Sequence, residues 1–404
     1  MKILVFNCGS SSQGFKVYEV DQNDTGKVLI SGKAKNVAAR TQSQPYLYWN
    51  MNGKMERKSC DLSSHSLAAE EIIGVLNLNG IKPDAIGHRF VHGGNLFQKT
   101  TRIDSKTRDL LIRCLPLAPI HNPNSFSVIE ICEQLFPSIP QYAVFDTAFH
   151  AQIPASSACY AIPGSIAEKF GFRKYGFHGL SYQYVAAKTA QLSGIPLQNS
   201  KFILCHLGSG GSSVTAVRNG KSVDTSMGYS PLAGLVMSSR CGDLDPEIIL
   251  DLVRSGYSAD EVSRILNRES GLIGLSGFSS NLAEIIDAAE GGNETCQIAF
   301  DVYSQRLMEY IGAFFWLLNG ADAIVFTDDI GETSWKLRRK LFEDKDRLGV
   351  MLDQELNKKA TGSEPSRINQ IHSKVQIWIV PTDEEVVIME EVRTMLFGPK
   401  ICSQ

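Results

Sequence analysis

The sequence predicts a mixed α/β protein made of two duplicated domains, and three features carry that prediction. The chain has 404 residues, more than one hydrophobic core of about 250–300 residues ordinarily sustains. It holds two copies of one strand-turn-strand pattern. Segments with apolar residues three or four apart alternate with short apolar runs, the periods of helices and strands, which implies sheets covered by helices.

The first copy is KILVFNCGSSSQGFKVYEV (2–20) and the second FILCHLGSGGSSVTAVRNGKSV (202–223). Each is an apolar strand, a polar residue, a Gly/Ser turn and an alternating strand, so Asn7, Gly9 and Ser10 fall opposite His206, Gly208 and Ser209. A second correspondence joins LNLNGIKPDAIGHRF (76–90) to FWLLNGADAIVFTDD (315–329): a helix end, an Asn-Gly stop and a new apolar strand. Helical periodicity marks SLAAEEIIGVLNL (66–78), DLLIRCL (109–115), DPEIILDLVRSG (245–256), CQIAFDVYSQRLMEYIGAFFWLLN (296–319) and EEVVIMEEVRTML (384–396). The two prolines of QIPASSACYAIPGS (152–165) mark a crossing between domains, which puts the first at 1–150 and the second at 151–383.

Composition narrows the function. With 43% hydrophobic and 21% charged residues and a net charge of −3, the chain has no global attraction to nucleic acid or acidic membranes, so any anion site is local. No apolar run reaches the ~18 residues of a membrane span. The start, MKILVFNCGSSS, lacks a signal-peptide pattern, and a cytoplasmic location is expected. Nine cysteines, at 8, 60, 114, 132, 159, 205, 241, 296 and 402, include no C-x-x-C pair, so neither a disulfide framework nor a zinc site is expected.

Two Gly/Ser hairpin tips at duplicated positions suit a phosphate clamp, because such loops let backbone N–H groups converge and add hydroxyl donors. Plain hairpin turns are the alternative. Polar residues inside apolar segments need partners or work to do: His88, Arg89 and His92 in GHRFVHGG, His121 in LAPIHNPNS, Asp146 and His150 in VFDTAFH, His178 in RKYGFHGLS, and Arg240, Asp243 and Asp245 in SSRCGDLDP. Taken singly, each histidine fits a satisfied core position as well as a site. Together they have the parts of phosphoryl transfer: arginines for anionic oxygens, a histidine donor and carboxylates for Mg²⁺. G-x-x-x-x-G-K-[ST] and G-x-S-x-G are absent, so neither a P-loop nor a serine elbow is the scaffold.

These segments resemble the acetate kinase family, a branch of the acetate and sugar kinase, heat-shock ATPase and actin superfamily. The similarity runs nearly end to end through NCGSSS, GHRFVHGG, LAPIHNPNS, VFDTAFH, YGFHGLS, HLGSGGS, GKSVDTSMGYSPLAGL, SRCGDLDP, SGLIGLSG and VPTDEEVVI. It implies two actin-like (ribonuclease H-like) domains around an active-site cleft, a helix at about 384–397 that packs back on the first domain, and a homodimer formed through the second. It implies direct in-line transfer of a terminal phosphoryl group, from ATP in the family, to the carboxylate of acetate or propionate. By the same resemblance, Arg89 and Arg240 grip the carboxylate and the moving phosphoryl group, His178 donates to that group with His121 nearby, and Asn7, Asp146 and Glu384 arrange Mg²⁺, with Mn²⁺ as a substitute. Val91, Ile120, Phe177 and Pro231 match the pocket for the alkyl end; one methylene there is worth only ~1–3 kcal/mol, so both acids remain open. Ser10, Ser12 and Lys16 on the first tip, His206, Gly208, Ser209 and Gly210 on the second, and Asn281, Asp329, Gly331 and Glu332 fall at phosphate and nucleotide positions.

The departures from the family pattern gather on the donor side. Gly14 stands where the family has lysine, with Lys16 two residues on and on the same strand face. HLGSGGS replaces HLGNGAS, and SSNLAEI replaces the S-D-x-R stretch, putting Asn281 and Ala283 in place of an acid and an arginine. FTDDIGETS replaces F-T-x-G-I-G-E-N, with Asp329 at a glycine position and Thr333 at an asparagine position. Like charges ~5 Å apart at an effective dielectric near 20 repel by about 3 kcal/mol, which opposes ATP unless a cation bridges. A plainer reading makes one of the two aspartates a helix amino-terminal cap. Three readings stand: an ATP-dependent acetate or propionate kinase; the same chemistry with another donor, such as pyrophosphate or a different nucleotide; and a non-catalytic relative that binds small anions.

Overall fold

The first strand, β1 (Lys2–Cys8), is buried at Ile3, Leu4, Val5 and Phe6 in succession, as a strand covered on both faces must be. The computed structural model describes residues 1–22, 26–38 and 44–398. They divide into unit one, Met1–Phe149 with the segment from Asp383, and unit two, His150–Thr382.

In unit one β1 is followed by β2 (Ser12–Glu19), β3 (Lys27–Lys35), β4 (Tyr46–Met51), β5 (Lys54–Ser59), β6 (Ala85–Phe90), β7 (Thr101–Arg102) and β8 (Gln141–Phe145). Among the described residues they form one sheet of order β5-β4-β3-β2-β1-β6-β8-β7. β1 pairs antiparallel with β2 and parallel with β6, which pairs parallel with β8. In unit two β9 (Lys201–Gly208), β10 (Gly211–Arg218), β11 (Lys221–Thr225), β12 (Ala323–Thr327), β13 (Ser366–Arg367) and β14 (Gln376–Ile379) give the order β11-β10-β9-β12-β14-β13. The run β3-β2-β1-β6-β8 is thus repeated as β11-β10-β9-β12-β14, with the same parallel and antiparallel neighbours. This is the duplicated actin-like α/β arrangement.

Helices cover the sheets. His65–Leu78 is capped by Ser64, whose hydroxyl accepts from the Leu67 N–H at 3.1 Å. Its Ala68, Ile72 and Leu76 join Leu4, Phe6 and Val17 in one core cluster with Val128 and Cys132 of the helix Asn122–Leu135. In unit two the helix Glu294–Leu317 buries Ala299, Tyr303 and Leu307 against Ile203, Cys205 and Val214. Helix Ser105–Cys114 begins four residues before the predicted apolar run, because Asp104 caps a polar first turn by accepting from the Thr107 N–H at 2.8 Å. Eight cysteines are free thiols, and Cys402 lies outside the described residues. No helix among the described residues is long and apolar enough to cross a membrane.

Candidate active site

The chemistry-bearing residues of unit one sit at the carboxyl ends of its parallel strands. Asn7 comes from β1, Arg89 from β6, and Asp146 directly follows β8. The helix Glu384–Phe397 presents its acidic first turn to the same place. Arg89 donates through Nε and Nη2 to the two oxygens of Asp146 at 3.0 and 2.6 Å, and through Nη1 to Asn7 Oδ1 at 3.0 Å. Glu384 Oε2 lies 3.2 Å from the same Nη1 and accepts from Asn7 Nδ2 at 3.0 Å. Burial alone would depress the guanidinium pKa; the Asp146 and Glu384 charges reverse that and hold it above its ordinary value. Arg89 is therefore the resident cation of a carboxylate cluster, with all three of its nitrogens engaged.

Asn7, Asp146 and Glu384 offer oxygen ligands, the donor type that suits Mg²⁺ or Mn²⁺. Among the described residues no three His, Cys, Asp or Glu converge as a ready metal cage. The set fits a cation held by one or two carboxylates and completed by phosphate oxygens and water, as Mg²⁺ commonly is. On the neighbouring strand Lys16 Nζ pairs with Asp383 at 2.6 Å and lies 3.8 Å from Glu385. A Cβ at Gly14 would stand 2.8 Å from Glu385 Oε1. Lys16 thus reaches the carboxylates that face position 14, and burial raises the Glu385 pKa while Lys16 partly offsets the rise.

Three histidines singled out by sequence are structural. His88 is buried, meets Gln141 Oε1 at 2.7 Å and is held down to about 4 by burial. His92 accepts from the Gly94 N–H at 3.0 Å. His150 bridges Ser222 Oγ and the Phe177 carbonyl at 2.8 and 3.0 Å, and burial holds it at about 4. Asp243 is structural too, accepting from the Gly234 N–H and the Tyr310 hydroxyl at 2.7 and 2.5 Å. Asp245 caps Pro246–Arg254. His121 is half-buried and precedes Asn122–Leu135 without a side-chain cap bond.

In unit two the tip of the β9-β10 hairpin gathers the remaining candidates. Gly208 pairs with Gly211, leaving Ser209 and Gly210 exposed at the turn. A Cβ at Gly211 would lie 3.1 Å from Arg240 Nη1 and 3.7 Å from His178 Cε1 and Nε2, so both side chains cover this backbone. His178 adopts a left-handed conformation (φ 58°), its Nδ1 pairs with Ser213 Oγ at 2.8 Å, and its ring stacks on His206 at 4.0 Å. His206 in turn meets Ser181 Oγ at 2.9 Å and Asp328 Oδ2 at 3.1 Å. Among the described residues Arg240 donates to neutral acceptors, the Pro231 carbonyl at 3.4 Å and the Met237 thioether at 3.6 Å, and burial lowers its pKa. Among the described residues no carboxylate pairs with it.

The FTDDIGETS segment forms a short helix, Asp328–Thr333, after β12. Neither aspartate is the cap expected from sequence: Thr327 holds the N-cap position, and both acids fall in the first turn. Asp328 has φ 65°, a left-handed conformation that Asp tolerates better than most residues, and its carboxylate turns to His206. Asp329 Oδ1 accepts from the Ser209 N–H at 2.8 Å and Oδ2 from the Ser209 hydroxyl at 2.6 Å. Glu332 accepts from the Asp328 N–H at 2.8 Å, and burial raises its pKa. The Gly331 carbonyl accepts from buried Arg338 at 2.6 Å. Ser209, Ser238, Asn281, Ala283, Asp329 and Thr333 line one cavity of ≈ 530 Å³.

Residues 2–390 match the family described as the Acetokinase family. This chain belongs to the acetokinase family. It is 39% identical to acetate kinase of Clostridium novyi over 98% of each chain, and 40% identical to that of Dictyoglomus turgidum over 99% of each. Among solved structures, acetate kinase from Entamoeba histolytica is 41% identical with a TM-score of 0.87, covering 97% of this chain and 99% of its own. A propionate kinase from Francisella tularensis is 37% identical with a TM-score of 0.86, covering 96% and 98%.

Asn281 caps the helix Leu282–Glu290 by accepting from the Ala283 N–H at 2.9 Å, while Ala283 is exposed on the cavity wall. Of the apolar-pocket residues, Val91 is buried and Ile120 is 55% exposed in unit one; Phe177 is buried and Pro231 half-buried in unit two. On the first tip Ser10 is exposed and Ser12 opens β2, its carbonyl accepting from the Gly9 N–H at 2.8 Å. Sequence reasoning missed Ser213, which orients His178, as well as Asp383 and Glu385. A serine inside a buried strand was the available signal for the first, and three successive acids opening a helix for the others. It also passed over Asn122, fully buried, which ties the 92 and 114 segments together through the His92 N–H and the His92 and Cys114 carbonyls at 3.1, 3.0 and 2.7 Å.

Proposed function

We propose that this protein is an acetate kinase-type phosphotransferase that moves the terminal phosphoryl group of ATP, reversibly, to the carboxylate of acetate or propionate. The observation that carries this reading is the pair His178 and Arg240 lying over the Gly211 backbone, with the arginine paired to no carboxylate among the described residues. A desolvated guanidinium beside a histidine and a Gly/Ser tip is suited to an anion whose charge shifts during reaction.

In the proposed reaction an acid carboxylate oxygen attacks the terminal phosphorus, the bond to the bridging oxygen breaks, and its electron pair leaves with ADP. Arg240 offsets charge on the moving group, and His178 donates to it, its ring orientation set by Ser213. Asn7, Asp146 and Glu384 would hold Mg²⁺, which would supply neutralisation of phosphate charge. Arg89 balances the two carboxylates when they are not committed to the metal, and Lys16 keeps Asp383 and Glu385 in place. The family resemblance assigns Val91, Ile120, Phe177 and Pro231 to the alkyl end and His121 to the acceptor side. We also assign a cytoplasmic location and a homodimer; exposed Ile248, Leu250 and Val253 on Pro246–Arg254, a helix that buries no residue, support a surface for a second copy.

The test is hydroxylamine trapping of acyl phosphate with ATP, GTP and pyrophosphate in parallel, using acetate and propionate. Acyl hydroxamate formed with ATP is the expected result. A folded protein that binds acetate yet forms none with any donor would sink the proposal.

A further inference from the structure

Asp329 does not hang free in the donor region. Its carboxylate takes the backbone N–H and the hydroxyl of Ser209, the two donors that the exposed turn of the second Gly/Ser tip would turn toward a phosphate. The Ile330 N–H also reaches Oδ1, at 2.7 Å, and the Asp329 carbonyl accepts from the Thr333 hydroxyl at 2.6 Å. Asp328 covers the other side of the tip: it pairs with His206, and a Cβ added at Gly208 would overlap its Oδ2. The ≈ 530 Å³ cavity opens directly beside this latch, walled by Ser209 and Asp329 themselves.

We propose that Asp329 is a specificity-determining residue that weakens the binding of nucleoside polyphosphates, ATP included, without abolishing it, its carboxylate competing with a donor phosphate for the second hairpin tip. The inference rests on the reading of this tip as the donor side of the phosphotransferase. A polyphosphate running from the cavity to the tip must first displace the carboxylate from Ser209 and then lie against its charge. Both costs fall on the nucleotide and neither falls on the acid substrate. Asp329 is exposed and its φ is not left-handed, so alanine is sterically allowed there. The carboxylate is thus separable from the fold of the turn.

The experiment is calorimetric titration of ADP and ATP, each with Mg²⁺, into the full-length protein, Asp329→Ala and Asp329→Asn, with melting temperatures recorded for all three. Alanine is expected to lower the nucleotide Kd at least tenfold. Asparagine, which retains an acceptor for Ser209 but no charge, is expected to lower it by a smaller factor. A latch that served only to brace the loop would lower the melting temperature and leave nucleotide affinity unchanged or weaker. That result in both variants overturns the proposal. The binding readout needs no turnover, so a wild-type protein inactive with every donor in the hydroxamate assay would refute the phosphotransferase reading separately.

Discussion

Arg89 and Arg240 carry the same charge in opposite surroundings, and the difference predicts how each fails when removed. Arg240 contributes little to its neighbours, because its contacts to the Pro231 carbonyl and the Met237 thioether are long, at 3.4 and 3.6 Å, and neither acceptor is charged. Arg240→Ala should therefore cost at least about 100-fold in kcat/KM, the loss typical of one donor to a developing charge, with a urea midpoint near that of the wild type. Arg89 neutralises Asp146, which is 1% exposed, together with Glu384. Arg89→Ala should lower stability by about 3–5 kcal/mol, since it strands buried carboxylates, and urea unfolding would show it. Equal stability losses in the two variants would contradict this division of roles. Composition and motif showed both arginines; their different partners depend on which strand ends meet, which no local pattern encodes.

At the scale of elements, the helix Glu384–Phe397 reaches β6 through an absence. Gly87 has no side chain, and a Cβ there would lie 2.7 Å from Ile388 Cγ2 and 2.9 Å from Val392 Cγ2. Neither methyl is the end of a flexible chain, so Gly87→Ala should push the helix outward and cost about 1–3 kcal/mol by overpacking. Because Glu384 opens that helix, activity should fall as well; a variant of unchanged stability and turnover would refute the close packing. The helix itself was legible from its periodicity, and the hairpins from their Gly/Ser turns. The caps were less so. Asp104 lengthens Ser105–Cys114 beyond its apolar run, and Thr327 rather than an aspartate precedes Asp328–Thr333, because a cap is decided by backbone angles and not by residue type alone.

For the whole molecule, each unit contains a buried histidine held near its neutral form, His88 in one and His150 in the other, both at about 4. The folded values lie below the ordinary 6.5, so the unfolded chain takes up protons first as pH falls. The stability linked to these groups is complete above about pH 6.5 and is lost as pH drops toward 4, by a few kcal/mol at most for each. Urea midpoints measured from pH 7 to 4 should decline accordingly, and His88→Gln should flatten the slope; an unchanged slope would dismiss His88 as a contributor. The duplication was readable because the strand-turn-strand pattern survives in both halves. The latch of Asp329 on Ser209 was not, since it joins residues 120 positions apart; sequence showed only that an acid stood at a glycine position.

The division of the chain also orders its biosynthesis. Unit one begins at Met1 but requires the segment from Asp383, whereas unit two is continuous from His150 to Thr382. At about 5–20 residues per second a ribosome needs on the order of 10–50 s to add the intervening stretch. During that interval Gly87 lacks the helix that covers it, and Arg89 and Asp146 lack Glu384. The half synthesised second is thus the first to have its whole sequence available, and nascent unit one waits with the Gly87 face uncovered. A chain stopped after Thr382 should leave unit one sensitive to protease and unit two resistant.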